Sequence, residues 1–250
     1  MSERYPPGKP CWFEFSAADV KAAKRFYQAL LGWKFVEGDG AHRALIDKKV
    51  VAAIVPAQAE RRNRWTVYLA TDDLAATESA IVAAGGTMLA PPEKARGGKR
   101  AIAADPTGGV FGLLQGTSFV GSALRDAPGA VCWAELSSRD PPAAADFYAR
   151  VFGIESKRPF PGYNYVQLRV AGKEAAGILG MTHEKRPNRG AEAWLIYYQV
   201  AATDRAVKIA SEQGGKILEP AENTQFGRLA VIADPFGARI AVIERGGGQS

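Results

Sequence analysis

The stretch CWFEFSAADVKAAKRFYQALLGW, Cys11–Trp33, returns in altered form 121 residues later as CWAELSSRDPPAAADFYARVFGI, Cys132–Ile154. Further along, the halves match at an offset of 129: Trp65 pairs with Trp194, Gly85-Gly86 with Gly214-Gly215, and Asp105-Pro106 with Asp234-Pro235. A repeat of this length and order indicates duplicated structural units. In the 250-residue chain, the repeat therefore predicts two domains, 1–116 and 129–250, with a small-residue linker at 117–128.

Each half divides once more into a strand, a helix and three strands. The quoted stretch opens with an alternating segment typical of a strand. Asp19 is placed to cap the following helix and Gly32 to end it, and Asp140 and Gly153 stand at the same places in the second half. The same order begins again near Trp65. The sequence thus predicts an α+β chain of four βαβββ modules.

Several short motifs occur in the same order in both halves. They are Asp19, Phe26-Tyr27, Leu31-Gly32-Trp33, Gly85-Gly86 and Asp105-Pro106-Thr107-Gly108, then Asp140, Phe147-Tyr148, Phe152-Gly153 and Asp234-Pro235-Phe236-Gly237. In this order they resemble the vicinal oxygen chelate superfamily of glyoxalase I, bleomycin-resistance proteins, extradiol dioxygenases and fosfomycin-resistance enzymes. The resemblance implies two tandem glyoxalase-like domains, each a curled mixed sheet that encloses a cup, with the helices outside.

Metal sites of this family place His, Gln or Glu on inward faces of several strands. The resemblance carries those positions onto Trp12 (or Cys11, one residue earlier), Ala53, Thr66 and Gly112, and in the second half onto Trp133, Gly177, Leu195 and Ala241. Apart from the Thr66 hydroxyl, none supplies a usual ligand for a divalent ion. The two histidines, His42 and His183, match no ligand position. We therefore expect no metal and no cofactor.

Two glutamates are the candidate catalytic residues. Side chains alternate across a strand, so if Trp12 faces the cup, Glu14 does as well, and Glu135 accompanies Trp133. A carboxylate on an apolar face can act as a general base with a raised pKa, or it can bind a donor group of a ligand. The alternative is a structural carboxylate that is bonded to tyrosine, arginine or backbone amides.

The same alternation predicts the residues that line the cups. Candidate ligand-binding residues are Trp12, Thr66, Tyr68, Gly112, Trp133, Tyr197, Gln199 and Arg239. Aromatic rings and tyrosine hydroxyls can stack on a planar ligand or hydrogen-bond to it. The alternative, for the tryptophans especially, is ordinary core packing.

Composition limits the partners. The net charge is +6, and basic segments stand at 60–64 and 184–189, where they could form a rim that attracts anionic ligands or simply be solvated loops. No nucleic-acid-binding motif, membrane-length apolar run or secretory signal is visible. Two cysteines do not form a disulfide framework, which favours the cytoplasm.

These observations favour a metal-independent protein that binds a small metabolite or antibiotic, anionic or aromatic. One alternative is a metal-free isomerase, epimerase or lyase with Glu14 or Glu135 as the base. A second is a metal-dependent glyoxalase-like lyase or dioxygenase whose ligands fall at other positions. A third is a structural protein whose cups are filled by its own side chains. Because duplication already supplies two paired copies, we expect a monomer or a weak homodimer.

Overall fold

A computed structural model describes residues 4–57, 62–95, 97–160, 162–181 and 193–246. The first half contains β1 (Pro10–Ala17), α1 (Val20–Leu31), β2 (Lys34–Gly38), β3 (Ala41–Ile46), β4 (Lys49–Pro56), β5 (Arg64–Ala70), α2 (Leu74–Ala83), β6 (Thr87–Ala95), β7 (Gly98–Ala104) and β8 (Val110–Gly116). The second half contains β9 (Val131–Ser138), α3 (Pro141–Phe152), β10 (Glu155–Lys157), β11 (Tyr165–Val170), β12 (Lys173–Gly180), β13 (Ala193–Gln199), α4 (Thr203–Glu212), β14 (Lys216–Thr224), β15 (Gly227–Ala233) and β16 (Arg239–Glu244). None of the helices in these ranges combines the length and apolarity needed to cross a bilayer.

The strands form two mixed sheets of eight strands each. The strand orders are β2-β3-β4-β1-β5-β8-β7-β6 and β10-β11-β12-β9-β13-β16-β15-β14. In every module the first strand runs parallel to the last, and the hairpins between them are antiparallel. The sheets are curled but not closed. The predicted α+β class and the four βαβββ modules in two tandem halves are confirmed.

The predicted helix ends are also confirmed. The Oδ1 atom of Asp19 accepts the N–H of Ala22 at 2.8 Å, and Oδ1 of Asp140 accepts that of Ala143 at 3.0 Å. Gly32 ends α1 with a φ of 72°, in the left-handed region that glycine adopts without strain.

The chain contains two compact units. Unit 1 consists of residues 1–12, 66–121 and 134–194, and unit 2 consists of residues 13–65, 122–133 and 195–250. Each unit therefore combines segments from both halves of the sequence. The domain boundaries at 116 and 129, drawn from the repeat, stay a prediction.

In unit 1 a tyrosine of one half bonds to an aspartate of the other. The Tyr148 hydroxyl donates to Oδ2 of Asp105 at 2.9 Å, while Oδ1 of Asp105 accepts the Gly109 N–H at 3.0 Å. The Phe-Tyr motif of α3 and the Asp-Pro motif before β8 thus meet in one buried hydrogen bond.

Unit 2 repeats this arrangement with the halves exchanged. The Tyr27 hydroxyl donates to Oδ2 of Asp234 at 2.8 Å and accepts the Trp65 Nε1–H at 2.9 Å. Burial raises the pKa of both Tyr27 and Asp234. The recurrence of both motifs therefore has a structural reason, since each tyrosine needs its aspartate.

Candidate functional site

Strand β1 presents one face to the helices and the other to the inside of its curled sheet. The ring of Phe15 lies 5.5 Å from that of Tyr27 in α1, centroid to centroid. Alternation therefore places Trp12 and Glu14 on the opposite face, which we call the helix-free face. Both are buried, and Glu14 is 6% exposed.

In the second module the helix-free face is filled by aromatic rings. Tyr68 lies opposite Gly112 in the β5–β8 pair, and its ring covers that glycine so closely that a Cβ there would collide with it. Thr66 shares the face and is buried. The ring of Trp12 makes an edge-to-face contact with Phe119 of the linker, with 4.8 Å between centroids. The chain's own side chains therefore take up much of the space predicted for a ligand.

In the first module Glu14 shares a row with a cation. Glu14 lies opposite Ala53 of β4, and Ala53 lies opposite Arg43 of β3. Directly opposed residues point to the same face of a sheet, so the carboxylate and the guanidinium flank a small side chain. The Arg43 side chain is 14% exposed, and its Nη2 lies 2.9 Å from Oδ2 of Asp39. This arrangement supports a structural role for Glu14, because a nearby cation lowers the free-energy cost of burying a carboxylate.

Glu135 occupies the equivalent place in the third module but has different neighbours. It lies opposite Gly177 of β12, and Gly177 lies opposite Gln167 of β11. The Tyr165 hydroxyl sits over Gly177, where a Cβ would collide with it. Glu135 and Gln167 are 7% and 9% exposed. This row combines a carboxylate, an amide and a phenol.

Sequence reasoning missed Tyr165 and Gln167. Strand YVQLRV alternates polar and apolar residues, which would have placed both on one face. Their meeting with Glu135 depends on the register of three strands, which the repeat does not reveal.

An apolar cluster covers the corresponding face of the fourth module. It comprises Cys132, Leu195, Tyr197, Leu229, Val231, Ala241 and Ile243, with Trp133 packed against it. The Cys132 thiol donates to the Tyr197 carbonyl at 3.4 Å, and burial raises the pKa of this thiol to about 11. Gln199 and Arg239 are half-buried on the flanking strands, opposite Ile243 and Ala233. Here the arrangement supports the core-packing interpretation of Trp133 and Tyr197.

The donor set does not fit the divalent ion that the resemblance implies. The glycines at two of the family's ligand positions, Gly112 and Gly177, are covered by tyrosine side chains. Within the described ranges, no three His, Cys, Asp or Glu residues converge as a metal site would require. His42 instead lies 3.0 Å from Oε1 of Glu37 on the surface, and His183 is outside the described residues.

Two further features lie away from these faces. A cleft of about 220 Å³ in unit 2 runs along α1 and α4 and is lined by Ala29, Leu30, Leu31, Pro128, Gly129, Val200, Ala201, Ala202, Arg205, Ala206 and Ile209, none of them a predicted site residue. Of the predicted basic rim, Arg62 and Arg64 are described, whereas residues 60–61 and 184–189 lie outside the described residues.

Models of two related families match the two halves. Residues 12–114 match the glyoxalase-like domain, and residues 131–242 match the glyoxalase/bleomycin resistance protein/dioxygenase superfamily. Among curated proteins, CFP32 of Mycobacterium bovis, named as a provisional glyoxylase, is 32% identical over 96% of each chain. The anthracycline biosynthesis protein DnrV of Streptomyces peucetius is 31% identical over 96% of this chain and 94% of its own.

Solved structures share the fold at low sequence identity. The Mn(II)-bound glyoxalase from Novosphingobium aromaticivorans gives a TM-score of 0.65 at 18% identity, covering 96% of this chain and 84% of that one. The 2,3-dioxygenase LapB from Pseudomonas sp. KL28 gives 0.62 at 14% identity, covering 100% and 95%. At these identities the likeness concerns the fold alone.

Proposed function

Because the chain belongs to the glyoxalase/bleomycin resistance protein/dioxygenase superfamily, we propose that it uses this fold to bind a small molecule without a metal ion. The proposal rests on two tyrosines: Tyr68 covers Gly112, and Tyr165 covers Gly177. Both glycines stand at positions where the family has metal ligands. A glutamate at either position would collide with the tyrosine unless that side chain moved away. A face lined by rings, a carboxylate and an amide suits the recognition of an organic molecule.

The ligand we propose is planar and aromatic or anionic, a metabolite or an antibiotic. Tyrosine and tryptophan rings offer stacking surfaces, and the net charge of +6 favours anions. The relative DnrV is named for anthracycline biosynthesis. We further propose that the chain acts as a monomer or a weak homodimer.

A thermal-shift screen of the EDTA-treated chain tests this function. Antibiotics, thiols and aromatic acids are tested with chelator present, and calorimetry follows each hit. A ligand at one hundred times its Kd stabilises the folded state by about 2.7 kcal/mol, which is easily detected. We expect at least one hit that persists in chelator. Binding that appears only after a divalent ion is restored would contradict the proposal.

The third module also supports a second candidate, a metal-free isomerase, epimerase or lyase. Glu135 is buried and shares its row with the Tyr165 hydroxyl, which sits over Gly177. A carboxylate could remove a proton next to a carbonyl while a phenol stabilises the resulting enolate. Turnover that survives in the Glu14→Gln/Glu135→Gln double variant would eliminate this candidate.

A further inference from the structure

We propose a binding site for a short, unbranched fatty acid on the helix side of unit 2. The site is the cleft of about 220 Å³ that runs along α1 and α4. It lies away from the helix-free faces, so it does not depend on the proposed function. Its apolar lining with one cation, the start of α4 in its wall, and the different residues at the equivalent place in unit 1 support the proposal.

The side chains that line the cleft are apolar with one exception. Leu30 and Leu31 at the end of α1 line it together with Ile209 of α4, and Arg205 is the charged residue among the described residues that do so. Arg205 is exposed, and its guanidinium makes no hydrogen bond or ion pair within the described ranges. An apolar wall beside a free cation complements a hydrocarbon chain with an anionic end.

One wall of the cleft is held in place by hydrogen bonds. The Gly129 N–H donates to the Gln199 carbonyl at 2.8 Å, and the Trp33 Nε1–H donates to the Gly129 carbonyl at 2.7 Å. Gly129 has a φ of 82°, and a Cβ there would lie 2.5 Å from the carbonyl oxygen of Leu31. A wall that is already ordered loses little conformational entropy when a ligand binds.

Helix α4 begins in this cleft without a side-chain cap. Ala202, at the N-cap position, has extended backbone angles (φ −152°, ψ 118°) but no side-chain oxygen to accept a hydrogen bond. The N–H of Thr203 donates to Oε2 of Glu244 at 3.1 Å, whereas the N–H of Arg205 has no acceptor within the described ranges. Free N–H groups at the start of a helix favour a carboxylate.

Two acidic side chains near the start of α4 already have partners. Nη2 of Arg228 donates to Oδ1 of Asp204 at 2.8 Å, and Nε of the same arginine donates to Oδ2 at 2.9 Å. Glu244 accepts from Thr203, and neither carboxylate lines the cleft. The guanidinium of Arg205 is therefore available to an anion from outside the chain.

Unit 1 has a carboxylate at the equivalent place. The repeat puts Asp73 at the position of Ala202, and Ala76 at the position of Arg205. Oδ1 of Asp73 accepts the N–H of Ala76 at 3.1 Å. Unit 1 thus caps its helix with its own carboxylate and has no cation there, whereas unit 2 has the cation and no carboxylate. A ligand carboxylate that accepts the N–H of Arg205 would take the role of Asp73.

The volume of the cleft limits the length of the chain. Pockets for drug-sized ligands measure about 300–1,000 Å³, so this cleft suits a smaller molecule. A water molecule takes up about 30 Å³ of the liquid, so the cleft has room for about seven groups of that size. Octanoate, with seven carbons beyond its carboxylate carbon, is therefore the probe we choose.

NMR titration of the ¹⁵N-labelled chain with octanoate and 1-octanol at low salt tests the proposal. We expect octanoate to bind with a Kd of about 1 mM or tighter, and at least about 5-fold more tightly than 1-octanol. Octanoate should shift the amide signal of Arg205. Hexanoate should bind more weakly, by about 2- to 4-fold for each methylene removed, because less apolar surface is buried.

Ala202→Asp is the most informative variant, because it gives unit 2 the cap that unit 1 has. It should raise the Tm, as a new N-cap does, and weaken octanoate binding about 10-fold or more, because the new carboxylate takes the N–H and repels the ligand. Binding of 1-octanol should stay within about 2-fold of the parent. Since the variant is more stable, its loss of binding cannot come from unfolding.

Arg205→Gln should weaken octanoate binding about 5-fold, the upper range for an exposed ion pair. Lys208→Gln is the matched control. It removes the exposed cation one turn further along α4, which does not line the cleft, and should change the affinity less than about 2-fold.

Any of three results would overturn the proposal. The first is no binding of octanoate up to about 10 mM. The second is 1-octanol binding as tightly as octanoate, which would mean that the cation and the helix start play no part. The third is octanoate binding that both Ala202→Asp and Arg205→Gln leave unchanged, which would place the ligand elsewhere. None of these results bears on the ligand screen that tests the proposed function.

Discussion

Single side chains decide what the helix-free faces can hold. A glycine at a family ligand position does not tell whether the space above it is empty or is filled by a side chain of the neighbouring strand. Here the neighbouring strand fills it, with Tyr68 over Gly112 and Tyr165 over Gly177. Each tyrosine reaches its glycine through the pairing of two strands, which the sequence alone does not reveal. These two contacts disfavour a metal centre of the family type at Gly112 and Gly177.

Gly112→Ala should lower the free energy of unfolding by about 1–3 kcal/mol, because the new methyl group collides with the Tyr68 ring. In a Tyr68→Ala background the same substitution should cost much less, since the ring is absent. Urea unfolding of the four chains gives the coupling free energy. Equal costs in the two backgrounds would show that the ring does not occupy this space.

The cysteine thiols should be unreactive in the folded protein. Cys11 and Cys132 are buried, and the pKa of Cys132 is raised to about 11, so little thiolate exists near pH 8. Ellman's reagent should label neither thiol quickly until denaturant is added, after which both react. Rapid labelling of Cys132 in the native chain would mean that the fourth-module face is more open than its apolar cluster indicates.

Secondary structure elements follow from local signals in this chain. The aspartate caps and the helix-ending glycines were predicted from the sequence, because a cap acts over three or four residues. The start of α2 was ambiguous between two adjacent aspartates. The structure assigns it to Asp73, whose Oδ1 accepts the Ala76 N–H at 3.1 Å.

Asp73→Ala should therefore destabilise the protein by about 1 kcal/mol, the usual contribution of an N-cap side chain. Asp72→Ala is its matched control and should change stability little, because the exposed Asp72 takes part through its backbone carbonyl, which accepts from Gln115. Thermal and urea unfolding distinguish the two. Similar losses in both variants would contradict the assigned cap.

Strand register could not be predicted from the same signals. Alternation placed Glu14 and Glu135 on one face of their strands, but not the partners across each sheet. Arg43 lies across Ala53 from Glu14, and Gln167 lies across Gly177 from Glu135. Both arrangements depend on the register of the hairpins, which turns and bulges determine. The two glutamates looked equivalent in the sequence and are not equivalent in the structure.

At the scale of the whole molecule, the duplication explains the fold better than it explains the site. The repeat predicts four modules, since it preserves the elements, and the family resemblance implies one curled sheet in each half. The grouping into compact units that mix both halves was not predicted, because contacts between distant segments leave no periodic signal. Within each unit, one hydrogen bond joins the two halves of the sequence: Tyr27–Asp234 in unit 2 and Tyr148–Asp105 in unit 1.

The burial of Asp234 predicts a specific pH dependence. Burial raises the pKa of Asp234, so the folded chain binds this proton more tightly than the unfolded chain does. The contribution of Asp234 is therefore fully present below its ordinary pKa near 3.8 and is lost as pH rises through the raised value. Asp234→Asn cannot ionise, so its stability relative to the parent should improve as pH rises through this window.

Asp204 provides a control of opposite sign. Hydrogen bonds from Arg228 lower its pKa, so its stabilising contribution exists above the ordinary pKa and disappears as pH falls through the lowered value. Asp204→Asn should therefore lose stability relative to the parent as pH rises. Unfolding free energies measured from acid to neutral pH decide both cases, and parallel slopes for the two variants would contradict these assignments.

Metal content shows whether the chain works without a metal ion, as we propose. The chain, purified without a histidine tag or chelator, is incubated with Zn²⁺, Ni²⁺, Mn²⁺ or Fe²⁺, freed of excess ion by gel filtration and analysed for bound metal. The metal-independent function predicts no stoichiometric metal and no thermal stabilisation by any of the four ions. One tightly held ion per chain, with a matching rise in Tm, would contradict it and restore the metal-dependent lyase and dioxygenase functions.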